Sequence, residues 1–151
     1  MKYEPAGILI VEDEEAHAQL TERAIRKSGN ANHIDIVSDG EQALDYLLNR
    51  GKFADKNRYP APGLVLLDIK LPGIDGLEVL KQIKEHPLLR KIPVIMLTTS
   101  EREEDVTRAY GHYANSYLTK PVGFKQFEEK IGQLDFYWLI LNEPPPLDEP
   151  Q

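Results

Sequence analysis

Residues 64–68 read Leu64-Val65-Leu66-Leu67-Asp68, four aliphatic residues followed by a carboxylate. Such an unbroken apolar run after Pro62-Gly63 is typical of a strand buried on both faces at the centre of a parallel sheet. The strand cannot continue through residues 69–76, because these contain one proline and two glycines. Open α/β sheets bind ligands in the crevice beyond the carboxyl ends of their strands. The sequence therefore predicts that a rigid strand presents Asp68 at a ligand-binding edge.

The rest of the chain alternates strand-like and helical segments in the same way. Alternating strands and helices form parallel βαβ units whose right-handed crossovers place helices on both faces of one sheet. We therefore expect an α/β fold of the flavodoxin-like kind, a doubly wound five-stranded parallel sheet with five helices. Strands are predicted at residues 6–11, 33–37, 64–68, 92–97 and 115–119, and helices at 14–27, 38–48, 76–85, 101–110 and 124–141.

Two segments carry more specific expectations. In the first helix, Ala16, Leu20, Ala24 and Lys27 recur at helical spacing, and Ser28-Gly29-Asn30 is a plausible C-cap. Residues 51–62, rich in Lys, Asn, Pro and Gly, are predicted to form a long loop inserted before the central strand.

Length and composition limit the possible functions. The 151 residues favour one domain, expected over 1–141, followed by a proline-rich tail at 142–151. A formal net charge of −7 argues against a nucleic-acid-binding surface, and the absence of cysteine excludes disulfides and thiolate chemistry. No apolar run approaches the length of a membrane span or a signal peptide, so we expect a soluble, cytoplasmic protein.

Polar residues lie at the carboxyl ends of four of the five predicted strands. They are Glu12 and Asp13 after the first, Asp68 at the end of the third, Thr98 after the fourth and Lys120 after the fifth. All carboxyl ends of a parallel sheet lie on one edge, so these groups should converge. Three carboxylates beside one ammonium leave an excess of negative charge, which a bound cation would neutralise. A site with few oxygen ligands and an open coordination side suits Mg²⁺.

This arrangement is suited to phosphoryl transfer. A carboxylate beside Mg²⁺ can attack a phosphoryl donor and hold an acyl phosphate, and Asp68 is the most central candidate. Asp13 would hold the metal directly and Glu12 through water. Lys120 would pair with the phosphoryl group and Thr98 would hydrogen-bond to it.

These five positions resemble those of the receiver domain of two-component response regulators. The same resemblance extends to residues 66–76, which read Leu-Leu-Asp-Ile-Lys-Leu-Pro-Gly-Ile-Asp-Gly. The resemblance covers about residues 6–141. It implies that Asp68 accepts a phosphoryl group from a sensor histidine kinase, and that the chain catalyses only its own phosphorylation and dephosphorylation. It also implies that Asp13, Asp68 and the backbone carbonyl of Lys70 bind Mg²⁺, with Glu12 nearby. A cationic residue at Lys70 departs from the neutral or amide residue often found there.

The resemblance further implies a conformational switch. Tyr117 occupies the aromatic position of this switch, and Thr98 is its hydroxyl partner. Movement of the two side chains would change the surface formed by helix 4, strand 5 and helix 5. The Lys120–Pro121 peptide is commonly cis in the family.

A narrower similarity connects the chain to small regulators associated with bacterial and cyanobacterial phytochrome kinases. It rests on Tyr59-Pro60-Ala61-Pro62, on the Leu-Thr-Thr-Ser stretch at 97–100 and on Phe136-Tyr137-Trp138-Leu139. Residues 136–141 are apolar on all sides, which favours a homodimer interface through the helix 4–strand 5–helix 5 surface and Phe136, Tyr137 and Trp138.

Other functions on the same fold remain as alternatives. A flavin- or nucleotide-binding protein would need a phosphate-cradling loop after the first strand, where this chain has four acidic residues at 12–15. A Mg²⁺ phosphohydrolase would need a general acid–base beside Asp68 and a substrate cap. A receiver-like module could also bind partners without phosphate. The four histidines have no metal-ligand spacing and are expected at the surface: His17, His33, His86 and His112.

Overall fold

The computed structural model describes residues 7–28, 33–98 and 116–119, together with 125, 126 and 129. It contains strands β1 (Ile8–Val11), β2 (Ile34–Val37), β3 (Leu64–Asp68), β4 (Val94–Thr98) and β5 (Ser116–Thr119). Helices α1 (Glu15–Ser28), α2 (Gly40–Leu47) and α3 (Gly76–Glu85) connect the first four strands, with short 3₁₀ helices at Gly51–Phe53 and Leu89–Lys91.

The five strands form one sheet in the order β2-β1-β3-β4-β5, and every pair is parallel. The flavodoxin-like prediction is therefore confirmed, and β3 lies at the centre. Every residue of β1 and β3 is buried, because apolar clusters cover both faces of the sheet. None of the described helices is long and apolar enough to cross a membrane.

Most of the predicted fourth and fifth helices lies outside the described residues, although residues 125, 126 and 129 are helical. The boundary at residue 141, the 142–151 tail and the Lys120–Pro121 peptide also lie outside them.

The helix predicted at 14–27 is present as α1, but the spacing of Ala16, Leu20, Ala24 and Lys27 does not coincide with its buried face. Ala18, Thr21, Ala24 and Ile25 are buried, whereas Ala16 is exposed. Two successive steps of four residues, as from 16 to 24, drift by about 80° around a helix, whereas steps of three and four stay aligned. Thr21 carries no apolar signal, yet its hydroxyl is accommodated in the buried face because it donates to the carbonyl of His17 at 2.9 Å.

The connection between α2 and β3 is anchored by an aromatic cluster. The rings of Tyr46, Phe53 and Tyr59 pack with centroids 5.0–5.6 Å apart, and Phe53 is buried. Asn49, in the left-handed region at φ +52°, donates from Nδ2 to the carbonyls of Phe53 and Tyr59, both at 3.0 Å. The predicted loop thus has a defined internal structure, including a 3₁₀ turn.

The end of α3 is fixed by two side chains. Lys84 Nζ donates to the carbonyls of Arg90 at 3.2 Å and Ile92 at 2.8 Å, and burial lowers the pKa of its ammonium. His86, expected at the surface, is half-buried, and its Nδ1 accepts from the amides of Leu88 and Leu89. These bonds hold the turn that leads into β4.

Tyr46 also joins α2 to the edge strand β2. Its hydroxyl donates to Asp35 Oδ2 at 2.5 Å, and His33 Nε2 lies 2.7 Å from the same oxygen. Burial first, and then the Asp35 carboxylate, raise the pKa of the Tyr46 hydroxyl well above its ordinary value of 10.0. The folded protein therefore keeps a proton that the unfolded chain releases in alkaline solution.

The sign of this shift predicts an alkaline loss of stability. Below pH 10 the contribution of Tyr46 is fully present, and it is lost as the pH rises toward the raised pKa. We expect Tyr46→Phe to lower the unfolding free energy by about 1 kcal/mol at pH 7, through the lost hydrogen bond, and to flatten its decline above about pH 10. Urea unfolding from pH 7 to 11 measures both effects. Lys84, whose pKa is lowered by burial, affects the stability of both proteins equally and cannot cause a difference between their pH curves. Parallel curves for the two proteins would therefore contradict the assignment to Tyr46.

The start of α3 approaches the end of β3 closely. A Cβ at Gly76 would lie 2.1 Å from the Asp68 carbonyl oxygen and 2.8 Å from Ile69 Cα, and both are backbone atoms. The Gly76 amide donates to the Ile69 carbonyl at 2.8 Å, which closes the connection. A Cβ at Gly40, at the start of α2, would lie 2.6 Å from the Ile74 carbonyl oxygen in the same connection. The two glycines therefore let the backbone pack around the end of β3.

We expect Gly76→Ala to destabilise the fold by about 1–3 kcal/mol, because backbone atoms must move to admit the methyl group. Gly7→Ala is the matched control, since a Cβ there meets its neighbours at 3.6–4.0 Å, ordinary contact distances. The control should change the unfolding free energy by less than about 0.5 kcal/mol in urea. Equal effects of the two substitutions would show that the close approach at Gly76 does not limit stability.

Candidate functional site

The ends of β1 and β3 bring three carboxylates together. Val11 pairs with Leu67 in the sheet, so the residues that follow them, Glu12 and Asp68, leave the strands side by side. Carboxylate oxygens of Glu12, Asp13 and Asp68 all lie within 4.8 Å of one another. The structure thus assembles the three acidic residues that the sequence predicts at one edge.

The cluster is buried on one side and open on the other. Glu12 and Asp68 are 2% and 6% exposed, whereas Asp13 is exposed. Two unit charges about 4 Å apart repel by roughly 4 kcal/mol at an effective dielectric of about 20. Hard oxygen ligands, strong mutual repulsion and an open side fit a divalent cation that keeps some water ligands.

Contacts from the start of α1 and from β2 hold Glu12 in place. Its Oε2 accepts from the Glu14 amide at 3.3 Å, and its own amide donates to the Val37 carbonyl at 3.0 Å. His17, expected at the surface without a role, lies with Nδ1 3.3 Å from Glu14 Oε2 and 4.0 Å from Glu12 Oε1. The i, i+3 spacing of Glu14 and His17 on a predicted helix was the signal available for this contact.

The connection from β3 to α3 is ordered by its own capping interactions. Asp75 Oδ1 accepts from the Glu78 amide at 2.9 Å and caps α3. Lys70 lies in this connection two residues after Asp68, and its side chain is exposed. The role of the Lys70 carbonyl as a metal ligand stays a prediction.

The backbone of β4 and β5 reaches the same edge. Asp68 pairs with Leu97, so Thr98 lies one residue beyond the partner of Asp68, and Thr98 in turn pairs with Thr119. Tyr117 lies on β5, where it pairs with Met96 of β4, and is therefore one strand further from the carboxylate cluster than β4. Lys120, Phe136, Tyr137 and Trp138 lie outside the described residues, so their predicted roles are untested, as are the side-chain roles of Thr98 and Tyr117.

Comparison with known proteins places this geometry in a family. The sequence model of the response regulator receiver domain matches residues 8–132. The probable methanogenesis regulatory protein FilR2 of Methanothrix harundinacea is 43% identical over 142 residues, 94% of this chain and 89% of FilR2. Response regulator Rcp1 of Synechocystis is 38% identical over 135 residues, 89% of this chain and 90% of Rcp1.

Solved structures agree with the sequence comparison. The phosphorylated cyanobacterial phytochrome response regulator RcpA superimposes with a TM-score of 0.83 at 34% identity, covering 94% of this chain and 99% of RcpA. The Mn²⁺-bound form of Rcp1 gives a TM-score of 0.81 at 37% identity, covering 94% of this chain and all of Rcp1 (100%). The chain therefore belongs to the response regulator receiver domain family, and its relatives there include regulators of the phytochrome type.

Proposed function

We propose that this protein is a phosphorylation-controlled response regulator in which Asp68 accepts a phosphoryl group from a histidine of a sensor kinase. The observation that carries the proposal is the cluster of Glu12, Asp13 and Asp68, within 4.8 Å, at the strand ends of a receiver fold. Mg²⁺ is the proposed cation, and the Mn²⁺-bound form of Rcp1 supports the choice of a divalent metal, since it shows such a metal in a relative.

The proposed chemistry is a single displacement at phosphorus. A carboxylate oxygen of Asp68 forms a bond to phosphorus while the bond from phosphorus to the donor histidine nitrogen breaks. The electron pair returns to that imidazole nitrogen, which takes up a proton. Water later attacks the acyl phosphate, releases inorganic phosphate and restores the Asp68 carboxylate. The chain is thus proposed to catalyse only its own phosphorylation and dephosphorylation.

The residues around Asp68 are assigned supporting roles. Asp13, Asp68 and the Lys70 carbonyl would hold Mg²⁺, with Glu12 acting through water. The cation, when bound, neutralises charge on the phosphoryl oxygens. Lys120 would pair with the phosphoryl group.

The proposed output is a change of surface. Thr98 would hydrogen-bond the phosphoryl group, and Tyr117 would respond by changing the surface of helix 4, strand 5 and helix 5. That surface, extended by Phe136, Tyr137 and Trp138, is the proposed site of partner binding or homodimerisation.

The proposed kinase is a phytochrome acting in the cytoplasm. The support is the similarity to RcpA, a cyanobacterial phytochrome response regulator, at 94% coverage of this chain. FilR2 is 43% identical, and its name refers to methanogenesis rather than light. Sensor histidine kinases as a class are therefore the broader proposal, and phytochromes the narrower one.

Intact-mass spectrometry after incubation with Mg²⁺ and acetyl phosphate tests the phosphorylation directly. We expect the wild type to gain one phosphoryl group and Asp68→Asn to gain none, because the amide lacks the nucleophilic oxygen anion. Asp75→Asn is the matched control: it removes a nearby carboxylate but keeps a good helix cap, and it should be phosphorylated like the wild type.

A folded wild type that gains no mass would overturn the proposal and favour a module that binds partners without phosphate. Equal phosphorylation of Asp68→Asn and the wild type would move the acceptor to another residue.

A further inference from the structure

Two connections at the amino-terminal edge of the sheet carry an excess of positive charge. Residues 48–63 link α2 to β3 and contain four cations and one carboxylate, and residues 86–93 link α3 to β4 and contain two cations and no carboxylate. Helix-to-strand connections of a parallel sheet lie at the edge opposite its carboxyl ends, and hence opposite Asp68. We call this surface the basic edge, formed by Arg50, Lys52, Lys56, Arg58, Arg90 and Lys91, all of which are exposed.

The basic edge is held rigidly by the core beneath it. Phe53 and Leu89, one from each connection, are buried in the same apolar cluster. Lys52 Nζ lies 5.2 Å above the Phe53 ring centroid, and the guanidinium of Arg58 lies 5.5 Å from that of Tyr59. These ring contacts restrict the positions of the Lys52 and Arg58 side chains, which reduces the entropy lost when they bind a ligand.

The neighbouring carboxylates neutralise only part of this charge. Asp45 pairs with Arg50 at 3.1 Å. The carboxylate of Asp55 accepts from the amides of Asn57 at 2.9 Å and Arg58 at 3.4 Å, so it is oriented toward its own turn. Glu85 is exposed at the end of α3. The two connections keep a net positive charge in a protein whose formal net charge is −7.

An exposed apolar side chain lies within the second connection. Leu88 is 76% exposed, and the amides of Leu88 and Leu89 donate to His86 Nδ1, which fixes the turn. Arg90 and Lys91 follow within three residues. A short acidic segment with an apolar residue would complement both the charge and the exposed leucine.

We propose that the basic edge and Leu88 form a docking surface for an acidic protein segment that contains an apolar residue. A nucleic acid is a poorer fit, because its extended polyanion would also meet the acidic remainder of the protein. Since the basic edge lies opposite the carboxylate cluster, a partner bound there leaves the entrance to Asp68 open. This inference does not depend on the proposed phosphorylation.

Fluorescence anisotropy with a fluorescein-labelled peptide, ten glutamates around a central pair of leucines, tests the proposal on the full chain at low ionic strength. We expect saturable binding that Lys52→Glu/Lys56→Glu weakens by at least about tenfold, since like charges replace attractive ones. Leu88→Ser should weaken it roughly three- to fivefold without changing its salt dependence. The matched control is Lys81→Glu/Lys125→Glu, which makes the same change in net charge at exposed helical positions and should stay within about twofold.

Three outcomes would overturn the proposal, provided that urea unfolding shows the variants to be folded. The first is no saturable binding by the wild type. The second is an equal loss in the control and in the Lys52/Lys56 variant, which would indicate a response to net charge alone. The third is binding to phosphatidylserine vesicles through the same lysines without binding to the peptide, which would assign the surface to a membrane.

Discussion

Apolar burial of β1 and β3 is the constraint on which the carboxylate cluster depends. Carboxylate oxygens of Glu12, Asp13 and Asp68 lie within 4.8 Å of one another, although like charges repel at such distances. The positions are enforced by β1 and β3, whose residues are all buried and whose pairing places Val11 beside Leu67. Apolar burial on both faces of the sheet thus supplies the free energy that holds like charges together.

The same parallel topology separates two kinds of charge. Strand ends and helix starts meet at the carboxyl edge. There the positive ends of the helix dipoles stabilise acidic residues, and acidic residues can bind a cation. Helix ends and strand starts meet at the opposite edge, where the two cationic connections lie. The parallel topology therefore brings the acidic residues together at one edge and the two cationic connections to the other.

The parts of the structure that could be predicted well from the sequence are those with one dominant local signal. The bounds of β3 and α3 followed from an unbroken apolar run and from Pro72, Gly73 and His86-Pro87, and both were confirmed. The convergence of three acidic residues followed from topology alone, because the carboxyl ends of parallel strands share an edge.

The parts that could not be predicted depend on contacts between residues distant in the sequence. Exposure of Ala16 and burial of Thr21 depend on the rotation of α1 about its axis, which the sheet sets. The tight fit of Gly76 against the Asp68 carbonyl requires the packed backbone, so the glycine alone indicated no more than a break in the strand.

Anomalous diffraction from crystals soaked in Mn²⁺ tests most directly whether the carboxylate cluster is a divalent-cation site. We predict one strong anomalous peak within coordination distance of carboxylate oxygens of Asp13 and Asp68, with Glu12 one water further away. An empty cluster in a crystal that holds Mn²⁺ elsewhere, or a peak that Asp13→Asn leaves unchanged, would contradict this assignment.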